Sequence, residues 1–170
     1  MLSRFDNKKD SKGQQSVKQF VSFQIGDEGF GVNIHQAREI ISYPELTKIP
    51  NAPEFVEGVI DLRGEIVPIV DLQKRLNLNT ENNEQEQKVI IVEVEEMLVG
   101  MKVDEVEGII RLNEEDIGNA PQLARDINQS YVQGVGRMEE RLLILLDLTA
   151  IFSSQEVKQL EELEKAELEE

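Results

Sequence analysis

The chain contains no cysteine, no tryptophan and a single histidine, His35. Without thiols there can be no disulfide, no thiolate catalysis and no cysteine-zinc site. One imidazole with neither Cys nor a second His cannot complete a metal site, so neither metal nor cofactor is expected. The usual Ser-His-Asp arrangements are absent for the same reason, and no G-x-S-x-G elbow is present. No G-x-x-x-x-G-K-[ST] or G-x-G-x-x-G run is available to cradle a phosphate. Aromatic side chains make up only 5% of the residues, which leaves little for a stacking platform. Basic residues are also scarce: 18 Lys and Arg face 34 Asp and Glu, for a net charge of −16. That balance disfavours binding to nucleic acid. No secretory h-region opens the sequence, and no later apolar run reaches membrane-spanning length. A soluble, cytoplasmic chain that does not itself insert into a membrane is therefore expected.

What remains is a chain of 170 residues, 39% hydrophobic, long enough to bury a core unaided. Its charge is uneven. Residues 1–17 carry four basic and two acidic side chains and read as a mobile tail. Phe20–Ile25 and Phe30–Ile34, separated by Gly26-Asp27-Glu28-Gly29, predict a hairpin. Asn33 then caps a short helical turn through Glu39 that leads into a strand at Ile40-Ile41. Val56–Leu62 and Ile66–Val70 predict two more strands around a turn at Arg63-Gly64-Glu65, and Asp71 caps a short helix. Thr80–Gln87 reads as a polar loop. Val89–Val94, Met97–Val103 and Val106–Leu112 predict three further strands. From Ser153 a capping box with Glu156 opens an amphipathic helix striped by Val157, Leu160 and Leu163. That segment, 153–170, carries seven glutamates against two lysines.

The strongest pattern is a repeat. FVEGVIDLRGEIVPIVDLQKRL, from Phe55 to Leu76, returns as YVQGVGRMEERLLILLDLTAIF from Tyr131 to Phe152. Gly58 answers Gly134, and Asp71-Leu72 answers Asp147-Leu148. Upstream, Gly31–Ile34 matches Gly100–Val103 and Ala37–Ile41 matches Val106–Ile110. Asn51-Ala52-Pro53 is echoed by Asn119-Ala120-Pro121, followed by an insertion near Gln122–Ser130. Two copies of one small β unit, each of about five strands, are expected to close into barrels and so remove exposed sheet edges. The expected division places lobe one mainly at about 30–85 and lobe two mainly at about 88–150, with the termini exchanged between them as an option.

The copies differ at Leu62-Arg63-Gly64, replaced by Met138-Glu139-Glu140. Arg63 offers a planar donor fork suited to a carboxylate, and Glu39 is the candidate partner. Their counterparts are Glu139 and Gly108, so an ion pair unique to lobe one is expected. Two alternatives stay open. Asp61 and Asp71 flank a hairpin and, with Glu65, would serve a carboxylate-dependent hydrolase if they lined a pocket. A small-ligand-binding barrel would require a ligand-sized internal cavity.

GVIDLRGEIVPIVDLQKRL resembles the signature segment of the bacterial chemotaxis coupling family, the CheW-like domains. FGVNIHQAREIISYPELTKIPNAPEFVEGV and VGMKVDEVEGII resemble it too, so the likeness spans about Gln19 to Phe152. It implies one CheW-like domain over 18–152, built of two SH3-like five-stranded barrels and without catalytic activity. It further implies an adaptor joining methyl-accepting chemoreceptors to the regulatory domain of the histidine kinase CheA. Such an adaptor works in a higher-order array at membrane receptor clusters. No receiver-domain or kinase-module pattern accompanies it. Matched residue by residue, the family pattern makes Glu39 and Arg63 its paired charges. Gly58 and Gly100 fall on its glycines at strand starts, and Ala37 and Ile109 on apolar positions of the receptor-binding region; with Gly64 and the charged pair, these are the partner-binding residues that the resemblance implies. Ala37 is smaller than the valine expected there.

Overall fold

The computed structural model describes residues 16–78, 87–119 and 128–152, together with Gln159 and Glu162. The readings made for residues 1–15, for the polar loop and for most of the inserted segment and acidic C-terminal segment lie outside these. Gln159 and Glu162 are helical and exposed.

The chain runs β1 (Val17–Ile25), β2 (Glu28–Asn33), a three-residue 3-10 turn, β3 (Ala37–Ser42), β4 (Val56–Leu62), β5 (Glu65–Asp71) and α1 (Leu72–Arg75). It continues with β6 (Lys88–Val94), β7 (Met97–Val103), β8 (Glu105–Asn113), β9 (Ile117–Gly118), β10 (Val132–Arg137), β11 (Leu142–Leu146) and α2 (Leu148–Ile151). Strand structure begins at Val17, inside the stretch read as a tail. The predicted helical turn is also shorter than expected: Asn33 caps it by accepting from the His35 amide, but Ala37, Arg38 and Glu39 already belong to β3. The β propensity of the following isoleucines extends the strand at the turn's expense.

Two sheets result, with strand orders β8-β1-β2-β11-β10-β9 and β3-β6-β7-β5-β4. The second is completed by a bridge from Thr47 to Val59 on β4. Read from that bridge, the sequence Thr47-β4-β5-β7-β6-β3 matches β9-β10-β11-β2-β1-β8 strand for strand. The symmetry is visible in detail. β5 pairs parallel with β7 through Ile69 and Gly100, and β11 pairs parallel with β2 through Leu145 and Gly31. Both β4 and β10 carry a bulge just before their shared glycine, Gly58 or Gly134. The Asp71 amide donates to the Phe55 carbonyl and the Asp147 amide to the Tyr131 carbonyl, each at 2.8 Å.

The sheets do not divide at residue 85. Contiguous residues 37–103 supply the whole β3–β7 sheet, which is inserted between β2 and β8 of the other. The hairpin β6-β7, grouped with lobe two by sequence, belongs to barrel one, and the N-terminal hairpin belongs to barrel two. Asp104, alone between β7 and β8, accepts from the Gly26 amide at 2.7 Å and so pins the β1-β2 turn at that crossover.

Each barrel wraps a small core. Ile60, Val67, Ile69, Val89 and Ile91 fill the first, and Phe20, Leu112, Leu143 and Leu145 the second. A third cluster is larger and lies between the barrels. It takes Phe23 and Phe30, whose rings stack 5.9 Å apart, from one side, and Ile90, Val92 and Met101 from the other. Leu72 and Leu148, the repeated leucines of α1 and α2, both enter it. Burial of this shared apolar surface joins the two units.

Candidate functional site

The β4-β5 hairpin turns on Arg63 and Gly64, with φ of 53° and 91°. Both positive values define a type I′ turn, whose twist suits a two-residue connection. Asp61 secures it by accepting from the Gly64 amide at 2.8 Å. A non-glycine residue with positive φ is uncommon, so Arg63 is held at the tip at a small conformational cost. Its guanidinium reaches Glu39 on β3 and forms an ion pair. The hydrogen bond from Arg63 to Glu39, reinforced by their opposite charges, raises the already high Arg63 pKa. Arg63 is 73% exposed and Glu39 only 29%. The structure therefore brings the predicted pair together, with Gly64 beside it.

At the equivalent positions barrel two has Gly108 and Glu139, which cannot form this pair, but it has a different ion pair of its own. In barrel two Arg141 donates to both carboxylate oxygens of Glu107, at 3.1 and 2.6 Å. Ser22 and Gln24 complete the Glu107 shell, and these donors, Arg141 first, lower its pKa. Glu107 is the repeat equivalent of Arg38, and Arg141 that of Glu65, so neither stands at a position of the first pair. Gly108, at the Glu39 position, has φ of +134°, where an L side chain is strained.

Ala37 is half-buried and faces the inter-barrel core from opposite Val92. Ile40, opposite Ile90, and Ile109, opposite Val21, share that face of their sheets, because directly paired residues project to the same side. Both sit on edge strands and remain 46% and 60% exposed. They are repeat equivalents, so two matched isoleucines border the core between the barrels. Ile40 was not singled out from the sequence, although its equivalence to Ile109 was the available signal.

Gly58 and Gly100 are buried and present no surface to a partner. A Cβ on Gly58 would lie 2.7 Å from the Thr47 carbonyl oxygen, so glycine admits the bridging strand. On Gly100 it would meet Val89 Cγ1 at 2.8 Å and Ile69 Cδ1 closer still. Their role is architectural, which corrects their assignment as binding positions.

A second charged group was not foreseen. Lys102, only 12% exposed, lies 3.1 Å from Glu57 and 3.4 Å from Asp71, and Tyr43 donates to Glu57 at 3.0 Å. Burial pulls the Lys102 pKa down, but Asp71 and Glu57 more than offset it and leave it raised. Burial likewise pushes Glu57 up, yet the bonds from Lys102 and Tyr43 and the nearby Lys74 leave it lowered. In barrel two the matching positions are Asn33, Gln133 and Asp147, so this network exists once. Asp71 also caps α1 through the Gln73 and Lys74 amides, as Asp147 caps α2.

Asp61 and Asp71 do not approach one another. Asp61 opposes Ile66, and Asp71 lies five residues beyond Ile66, about 17 Å along an extended strand. With valine and isoleucine filling the barrel between them, no carboxylate pocket forms there, and the interior holds side chains where a ligand cavity would have to be.

Residues 19–156 match the model of the CheW-like domain. The chain belongs to the CheW-like family. It is 36% identical to the chemotaxis protein CheW of Rhizobium meliloti, over 82% of this chain and 90% of that protein. The CheW of Treponema pallidum is likewise 36% identical, over 84% and 86%. A crystal structure of the scaffolding protein TtCheW from Thermoanaerobacter tengcongensis superposes with a TM-score of 0.76 at 31% identity, covering 83% of this chain and 96% of that one. As a CheW-like protein the chain is a non-catalytic chemotaxis adaptor of two SH3-like barrels. No helix among the described residues is long and apolar enough to cross a membrane.

Proposed function

We propose that the protein couples methyl-accepting chemoreceptors to the regulatory domain of the histidine kinase CheA, through equilibrium binding at receptor clusters on the membrane. The observation that carries this reading is the pair of exposed isoleucines, Ile40 and Ile109, bordering the core between the barrels. An amphipathic receptor helix docks its apolar face in the cleft that this reading places between them, with Ala37 on the same face of β3 as Ile40. The β4-β5 tip, with Glu39, Arg63 and Gly64, orients a partner at one end of barrel one. The kinase's regulatory domain meets a barrel face pseudo-symmetrically, and repetition of the two contacts extends an array. The strongly acidic surface acts more on partner choice and encounter rate than on final affinity.

Chemical-shift mapping with a receptor cytoplasmic fragment and with the kinase regulatory domain, added separately, tests the reading. Perturbations at Ala37, Ile40 and Ile109 with the receptor fragment are expected, and a distinct set with the kinase domain. Receptor-induced shifts that avoid both isoleucines would overturn the placement of the cleft.

A further inference from the structure

Arg75 stands where the pseudo-symmetry has room for one side chain only. Phe55 and Tyr131 are repeat equivalents, as their matching carbonyl bonds to Asp71 and Asp147 show. The Arg75 guanidinium lies 5.3 Å from the Phe55 ring centroid and 4.9 Å from that of Tyr131. Its Nη2 also donates to the carbonyl of Ile151, at the end of α2. Ile151 is the residue that answers Arg75 in the second copy. One half-buried side chain from barrel one thus grips the aromatic ring and the helix end of barrel two at the axis relating them. The planar guanidinium makes this directional, since ring contact and hydrogen bond together fix its plane.

Its position gives that grip leverage. Arg75 ends α1, which follows β5, whereas Ile40 and Ile109 project from β3 and β8 at the far edges of the two sheets. The inter-barrel core lies between. A rotation of one barrel against the other at Arg75 therefore appears as a change of width between the two isoleucines. We propose that Arg75 is the positioning residue that sets the angle between the barrels and so holds the Ile40–Ile109 cleft at the width of a receptor helix. This rests on the reading of that cleft given above.

Residual dipolar couplings, fitted separately for each barrel in the full chain, test it. The wild type is expected to fit one alignment tensor. Arg75→Met keeps stem length but removes the charge and the hydrogen bond. Each barrel should then keep its own internal couplings while the two tensors diverge. If the competent angle falls to about a tenth of the population, affinity for a receptor fragment drops by about tenfold. Binding of the kinase regulatory domain, which docks on one barrel, should change by less than about twofold. Arg75→Lys, which keeps the charge, should recover part of both losses. Should Arg75→Met fail to fold, Tyr131→Leu removes one ring and carries the same measurement. A single wild-type-like tensor in the variant would overturn the inference with the cleft reading intact. Failure of the wild-type chain to bind any receptor fragment would instead remove the cleft reading, and with it the receptor half of this proposal.

Discussion

At the scale of the residue, the same amino-acid type serves different ends. Gly31 and Gly100 hold equivalent places, but the second is packed more tightly. A Cβ on Gly31 would meet Leu143 Cδ2 and Leu145 Cδ2 at 3.0 and 3.1 Å, side-chain ends that can shift. Gly100→Ala should therefore cost about 1–3 kcal/mol and Gly31→Ala clearly less, read from urea midpoints at constant m. Equal costs would mean that the tighter contact relaxes freely. Arg63 joins two roles that substitution can separate. Asn suits a type I′ turn but cannot reach Glu39, so Arg63→Asn should preserve stability while weakening partner coupling in pull-downs. Wild-type coupling would show that the ion pair serves the hairpin alone. The Glu57–Lys102 pair has a defined pH signature. Glu57 is lowered below its ordinary 4.5, so its contribution is present above that pH and lost as pH falls through the folded value. Lys102 is raised above 10.5, so its contribution is present below that pH and lost as pH rises through the folded value. Glu57→Gln should flatten the acid limb of the stability–pH curve relative to wild type. An unchanged acid limb would show that the Glu57 shift is not coupled to folding.

At the scale of the element, α1 and α2 are four residues each and depend on their caps. Removing a cap of this kind costs about 1 kcal/mol. Asp71→Ala should cost more than Asp147→Ala, because Asp71 also faces Lys102, and denaturation of the two variants side by side decides it. These elements were largely legible. Alternation gave the strands, the repeated Asp-Leu gave both capped helices, and Arg63-Gly64 gave the turn. The pairing of Glu39 with Arg63 was also legible, since Arg63 stands at a tight turn between two apolar strands and its donor fork calls for a carboxylate. Barrel two has Gly108 and Glu139 at the equivalent positions and so lacks this pair. The ion pair that barrel two does make, Arg141 with Glu107, uses two other positions, so aligning the copies gives no sign of it. The Lys102 network was invisible for another reason: Glu57, Asp71 and Lys102 meet across β4, β5 and β7, and spacing along the chain carries no sign of that register.

At the scale of the whole molecule, the barrels share their largest core, so they should unfold as one. The chain has two tyrosines and no tryptophan, with Tyr43 in barrel one and Tyr131 before β10 of barrel two. Tyr43→Phe and Tyr131→Phe thus leave one intrinsic fluorophore on each side. Their urea transitions should coincide, and separated midpoints would show independent units. Residues 37–103 contain every pairing of their sheet. Expressed alone, however, that segment would expose the Ile90, Val92 and Met101 face and should associate rather than stay monomeric. The sequence showed two copies but not which hairpin joins which barrel. Either hairpin satisfies the same alternation, and only the one-residue crossover at Asp104 decides.

The insertion of one barrel into the other also sets a timetable. Phe30 of β2 pairs with Ile144 of β11, more than a hundred residues downstream. At roughly 5–20 residues per second, the ribosome takes on the order of 10 s to cover that stretch. Barrel one, contiguous from Ala37 to Val103, can close meanwhile. The N-terminal hairpin, with Phe20, Phe23 and Phe30, precedes it, gains β8 only once barrel one is complete and β11 later still. During synthesis it is the apolar segment on view longest, and so the natural client for a chaperone on the nascent chain.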